Sequence, residues 1–162
     1  MTRLGNSLYN ISIKDSIFLN NHKLLYYILN LTWGLLMTII GYIIALIMLI
    51  TFHKPRFYKG VMYFISRKIN GGFSVGMVLV VCNESDALKN HEIGHTYQNA
   101  IFGIFMPFIV SIPSMIRYWY IVHQEKKGKE IYYDGVWFEK SATDIGNCVS
   151  WMPKSSNKTQ KS

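Results

Sequence analysis

Residues 24–52, LLYYILNLTWGLLMTIIGYIIALIMLITF, carry no charged side chain over 29 positions. The hydrocarbon core of a bilayer is about 30 Å thick, and about 20 apolar residues at 1.5 Å rise each cross it. The run therefore predicts a transmembrane helix over 24–52. A secretory signal peptide has a shorter apolar core and a small-residue cleavage site. Here the run continues through Ile43, Ile44, Leu46, Ile47, Leu49 and Ile50 into Thr51 and Phe52, so the helix is expected to be retained. Half of the 162 residues are apolar, more than a soluble core of this length accommodates.

The charge pattern agrees with a membrane setting. The net charge is +8, but the lysines and arginines lie beside apolar segments rather than along one polar helix or an aromatic-studded sheet. Membrane lipid is therefore the expected partner and nucleic acid is not. Two basic residues precede the run closely (Lys14, Lys23) and five follow it (Lys54, Arg56, Lys59, Arg67, Lys68). By the positive-inside rule this places the downstream residues in the cytoplasm and the N-terminus outside. Cys82 and Cys148 have neither a zinc spacing nor a disulfide framework, and read as small buried apolar residues.

Around this run the chain divides into a tail or interfacial helix (1–23), a membrane-associated domain (53–152) and a polar tail expected to be disordered (153–162). Within the domain, two apolar runs flank Asn70-Gly71, and Asn-Gly between β-rich runs predicts a β-hairpin over 58–82. A helix over 84–106 is expected to start at Asn83 or Ser85, either of which can cap free N–H groups, with Asp86 complementing the dipole. The apolar stretch beyond it is interrupted by Pro107 and Pro113. Proline removes a donor and clashes with the preceding turn, so residues 100–122 are expected to form a broken, re-entrant hairpin rather than a second span. A short helix follows over 136–147. The fold class is thus an α+β membrane protein with one N-terminal transmembrane helix.

The chemistry resides in His91-Glu92-Ile93-Gly94-His95. Two histidines four residues apart on a helix direct both imidazoles at one point, where zinc can bind, and the glutamate between them faces the same water. Catalytic zinc takes three protein ligands and leaves one position open. The third ligand is sought downstream, where Glu139 sits early in a helix with Trp137 and Phe138 alongside to bury it. Asp134, before Gly135, is the alternative. His123, following an aromatic run, reads as a surface histidine. Glu92 is the candidate general base, able to take a proton from water and pass it to a leaving amine. Gly94 admits either another backbone or a substrate close to the helix, and the strand ending at Cys82 could offer its edge to an extended peptide.

H-E-x-x-H followed by a glutamate-bearing helix resembles the gluzincin class of zinc metallopeptidases. More closely, the run from His91 to Gln98, with Gly103, Ile112-Pro113-Ser114, the stretch Phe138 to Thr143, Gly146, and Gly71 to Gly76 upstream, resembles a family of small, largely uncharacterised bacterial membrane proteins. The resemblance covers roughly 59–147 and implies Zn2+ at His91, His95 and Glu139. Many gluzincins place an aspartate four residues after the glutamate ligand to orient the first histidine. That position here is Thr143, with Asp144 one later. The expected function is a membrane-anchored zinc metallopeptidase cutting a peptide or membrane protein near the bilayer interface. The alternative is a non-catalytic membrane protein with a structural metal site or no metal.

Overall fold

The computed structural model describes residues 2–129 and 135–149. Among these, six α-helices and a four-stranded sheet form a mixed α+β fold. The helices are α1 (Arg3–Asn21), α2 (Lys23–Leu31), α3 (Leu35–Ile50), α4 (Asp86–Phe102), α5 (Ile112–Glu125) and α6 (Trp137–Cys148). The strands are β1 (Arg56–Tyr58), β2 (Val61–Ile65), β3 (Gly72–Val75) and β4 (Val78–Val81).

The long apolar run is not one helix. It breaks between α2 and α3, whose axes are bent by 85°. The break is built from the few polar residues in the run. Asn30 is fully buried; its side chain accepts from Asn99 at 2.7 Å, and its backbone carbonyl, orphaned by the break, accepts from the Thr38 hydroxyl at 2.8 Å. The carbonyl of Gly34 accepts a second hydrogen bond from Asn99, and a Cβ at Gly34 would collide with that amide. Buried polar groups must be paired, and here the pairing requires the bend. The 16 residues of α3 reach only about 24 Å at 1.5 Å per residue. Among the described residues no single helix is long and apolar enough to cross a membrane.

The N-terminal segment corrects the expected topology. Helix α1 packs along α6, where the Tyr9 hydroxyl donates to Asp144 at 2.6 Å and Gly5 lies against the Trp137 ring. Residues before and after 24–52 thus belong to one packed body. A single crossing that left the N-terminus on the opposite side would pull that body apart.

The sheet also differs from the expected hairpin. Its order is β1-β2-β4-β3, with β2 and β4 parallel at the centre. Its two tight turns are Lys59-Gly60 and Gly76-Met77, each a two-residue loop between antiparallel strands. Both residues of the first have positive φ, as does the first residue of the second, which are the backbone requirements of two-residue hairpin loops. Asn70-Gly71 instead belongs to the connection from β2 to β3. Every residue of β4 is buried, because parallel central strands are covered on both faces. Val78 packs with Ala45 of α3, while Leu79 and Val81 pack with Ile93 and Tyr97 of α4. Alternate side chains point to opposite faces, so the sheet lies between α3 and α4.

Helix α4 ends at Gly103, whose φ of +52° and ψ of −123° suit glycine alone. The Trp33 ring occupies the space a Cβ would need, and its indole N–H donates to the Ile101 carbonyl. A 3-10 turn (Gly103–Phe105) and a widened π-helical turn (Pro107–Ser111) then lead into α5. The two arms are bent by 118° just before Pro107, whereas Pro113 lies in the first turn of α5. The polar tail from 153 on lies outside the described residues.

Candidate metal centre

Helix α4 positions the histidines. The Ser85 side chain caps it, accepting from Leu88 N–H, and Asp86 in its first turn pairs with Lys89 at 2.9 Å. From Glu92 to Ala100 every residue is buried, because the sheet covers one side of the helix and α6 the other. Close approach to α6 depends on two glycines. A Cβ at Gly94 would overlap the Ala142 backbone, and one at Gly146 would overlap the Asn90 backbone. Gly94 therefore serves an approaching backbone, that of α6, rather than a substrate.

That approach delivers Glu139, in the first turn of α6, to the two histidines. Its Oε2 lies 3.1 Å from His91 Nε2 and 3.5 Å from His95 Nε2. The three ligand atoms lie within 4.8 Å of one another. Ligands at about 2.05 Å from a tetrahedral ion are about 3.3 Å apart, so both contacts match edges of such a polyhedron. The expected triad His91, His95 and Glu139 is thus brought together, and these residues could hold a metal ion. Asp134, the alternative ligand, lies outside the described residues.

The orienting contacts settle which nitrogens face the centre. Gln98 donates its amide to Phe138 O and Ser141 Oγ, each at 2.8 Å, and so turns its carbonyl oxygen to His95 Nδ1 at 2.7 Å. Because that oxygen only accepts, Nδ1 carries the proton and Nε2 of a neutral ring carries a lone pair. His91 Nδ1 meets the Thr143 hydroxyl at 2.8 Å. Thr143 thus holds His91 at Nδ1 while Nε2 faces Glu139. Asp144 turns away to Tyr9 and Lys140.

Glu139 is fully buried, and its Oε1 accepts from the Ser114 hydroxyl at 2.5 Å. Oε2 is buried and faces the two imidazole nitrogens. Lone pairs on two imidazoles and a buried carboxylate oxygen converge, an arrangement that only a cation or a proton relieves. In the absence of metal a proton serves. Burial disfavours a charged His95, but hydrogen bonding and attraction to Glu139 outweigh this and raise its pKa to about 9. For Glu139, burial acts upward, yet its contacts with His91, His95 and Ser114 hold it well below the usual carboxylate range.

Glu92 points away from Glu139, toward the sheet. Gly72 of β3 makes room for it, since a Cβ there would lie 2.9 Å from Glu92 Oε1. Burial raises the pKa of Glu92, offset in part by His95, His91 and the Ser74 hydroxyl of β3. Glu92 and His95 open onto a cleft of about 650 Å³. Strand β3 forms one wall, from Gly72 to Val75, and the arm after Gly103 forms the other with Met106, Val110, Ser114 and Met115. The free sheet edge beside the site is thus β3. Strand β4, which ends next to Cys82, is paired on both sides. Cys82 is half-buried and Cys148 exposed, so Cys148 does not fill the buried position expected of it.

Gln98 and Thr143 had helical spacing to mark them, at three residues after His95 and four after Glu139. Ser114 had none. No protein-family model, curated protein or solved structure matches the chain.

Proposed function

We propose that this chain is a membrane-associated zinc metallopeptidase that cleaves a peptide or membrane-protein substrate at the bilayer interface. The observation that carries the reading is the buried convergence of His91 Nε2, His95 Nε2 and Glu139 Oε2 beside Glu92, at the floor of an open cleft. Two imidazoles and one carboxylate are a donor set suited to Zn2+ in a catalytic site with an open position. A zinc ion held there supplies Lewis acidity, polarising a carbonyl and acidifying water. Glu92 takes the proton from the attacking water and delivers it to the leaving amine. The free edge of β3 gives an extended chain backbone partners alongside the site. Phe73, Val75, Met106, Val110 and Met115 give it apolar surroundings.

The membrane reading is supported by a helix with its polarity reversed. The inward face of α3 carries Met37, Thr38, Gly41 and Ala45, whereas its outward face presents Leu36, Ile39, Ile40, Ile43, Leu46, Ile47 and Ile50. Water-soluble helices bury the larger apolar side chains; a helix that exposes them contiguously fits lipid. The arm exposes Phe105, Phe108, Ile112, Met115, Ile116 and Trp119 in the same manner. The apolar faces of α3 and of the arm after Gly103 enter one leaflet without crossing it, leaving α1, α4 and α6 together on the cytoplasmic side of a bacterial cell membrane, where the basic residues after 52 lie.

The test is metal analysis of the detergent-purified chain, followed by cleavage of membrane-protein substrates. About one zinc per chain is expected, lost in His95→Ala and in Glu139→Ala. Glu92→Gln should keep zinc and fold while abolishing cleavage. A folded parent that takes up no zinc defeats the proposal.

A further inference from the structure

Ser114 belongs to neither helix that carries a metal-ligating side chain, yet its hydroxyl is 2.5 Å from Glu139 Oε1. We infer that Ser114 is a positioning residue for the metal centre, holding one carboxylate oxygen of Glu139 so that the other, Oε2, is the ligating atom. The inference rests on the metal-site reading above.

Nothing in α6 itself selects between the two oxygens. The last torsion of a glutamate side chain is broad and nearly two-fold, so the carboxylate rotates unless something outside it holds one oxygen. Ser114 does so from the opposite wall of the cleft. With Oε1 engaged by an O–H group, Glu139 offers a cation one oxygen and leaves room for a further ligand. A released carboxylate can turn and chelate with both oxygens, filling the open position on which hydrolysis depends.

The local fold explains how the hydroxyl is aimed. A helical serine commonly bonds back to a carbonyl in the preceding turn, but Ser114 reaches across to another element. It is the third residue after the widened turn Pro107–Ser111. Such turns insert an extra residue and are frequent at functional sites. One residue of register rotates a helix face by about 100°, so a regular helix through this stretch would turn Ser114 away from Glu139. The arm that displays Phe108 and Ile112 outward therefore also completes the metal centre inward. Displacing the arm releases Glu139.

The experiment uses the full chain in detergent, with Zn2+ and Co2+ as probes, and compares the parent with Ser114→Ala and Ser114→Thr. Ser114→Ala should bind zinc about 10–100-fold more weakly, the range seen when partners that orient ligands are removed. Its Co2+ complex should lose visible absorption intensity as the coordination number rises. Ser114→Thr, which keeps the hydroxyl, should restore both affinity and spectrum. Melting of the metal-free proteins reports folding separately. If Ser114→Ala does not fold, Ser114→Gly, which also lacks the hydroxyl and adds no metal ligand, takes its place. Parent-like affinity and spectrum in Ser114→Ala would overturn the inference while leaving the metal site standing. A parent that binds neither ion would overturn the metal-site reading itself.

Discussion

Replacing Gly94 with alanine tests whether helix contact, rather than the H-E-x-x-H motif alone, makes the metal centre. The added methyl would lie 2.5 Å from Ala142 C and 2.6 Å from its Cα, and closer still to the carbonyl oxygen, where real contacts do not fall below 3.0 Å. The difference, 3.0 minus 2.5, requires α6 to retreat by at least half an ångström. Glu139 lies one turn before Ala142, so the displacement reaches its carboxylate. Metal–ligand distances tolerate only about 0.2 Å. Overpacking of this kind costs about 1–3 kcal/mol, against a gain of up to about 1 kcal/mol from replacing glycine within a helix. We expect a chain destabilised by up to about 2 kcal/mol, with zinc affinity at least about tenfold lower, equivalent to about 1.4 kcal/mol. Thermal melts with and without zinc and competition with a chromophoric chelator measure the two effects. A variant as stable as the parent or more so, with unchanged zinc affinity, would show that α4 and α6 are not in backbone contact and refute the argument.

Other consequences can be checked independently. Thr143→Val removes the hydroxyl facing His91 Nδ1 and should weaken zinc binding about 10–100-fold with little change in metal-free stability; equal affinity would deny Thr143 its orienting role. Asn30→Leu strands the buried Asn99 amide and should lower stability by about 1–3 kcal/mol in denaturant titration, partly recovered in Asn30→Leu/Asn99→Leu. An unchanged midpoint would remove the polar bridge as the cause of the bend. Cysteines placed at Arg3 and Lys54, both exposed, in a background lacking Cys82 and Cys148, should react with an impermeant reagent from the same side of a vesicle. Labelling from opposite sides would restore the single crossing.

The ligands were legible because their constraints are local. His91 and His95 are four residues apart on one helix, and Glu139 lies in the first turn of the next apolar-flanked helix, so spacing and burial suffice. The bend inside 24–52 was not, although Asn30, Thr32 and Gly34 mark it, because the partner that makes a buried Asn30 tolerable is Asn99, in another helix. The sheet was misjudged for a related reason. Val78 to Val81 lacks apolar–polar alternation, which is what burial on both faces of a parallel pair produces. Asn70-Gly71 drew attention away from Lys59-Gly60 and Gly76-Met77, where the chain turns. Ser114 depends on how the arm folds back, and no pattern within 107–116 encodes what it meets.

The packing of α6 between α4 and α1 also sets a schedule for biosynthesis. His95 leaves the ribosome 53 residues before Cys148, the end of α6. At about 5–20 residues per second, that interval is roughly 3–10 seconds. Throughout it, Glu92, His95, Gln98 and Asn99 are committed to a helix whose other covering surface has yet to be made. Until α6 arrives, water satisfies that polar face, and burial comes only with the partners that replace it. On the proposed reading, a metal ion is captured last, once Glu139 has joined the two histidines. A chain halted before residue 137 would carry both histidines and still have no centre.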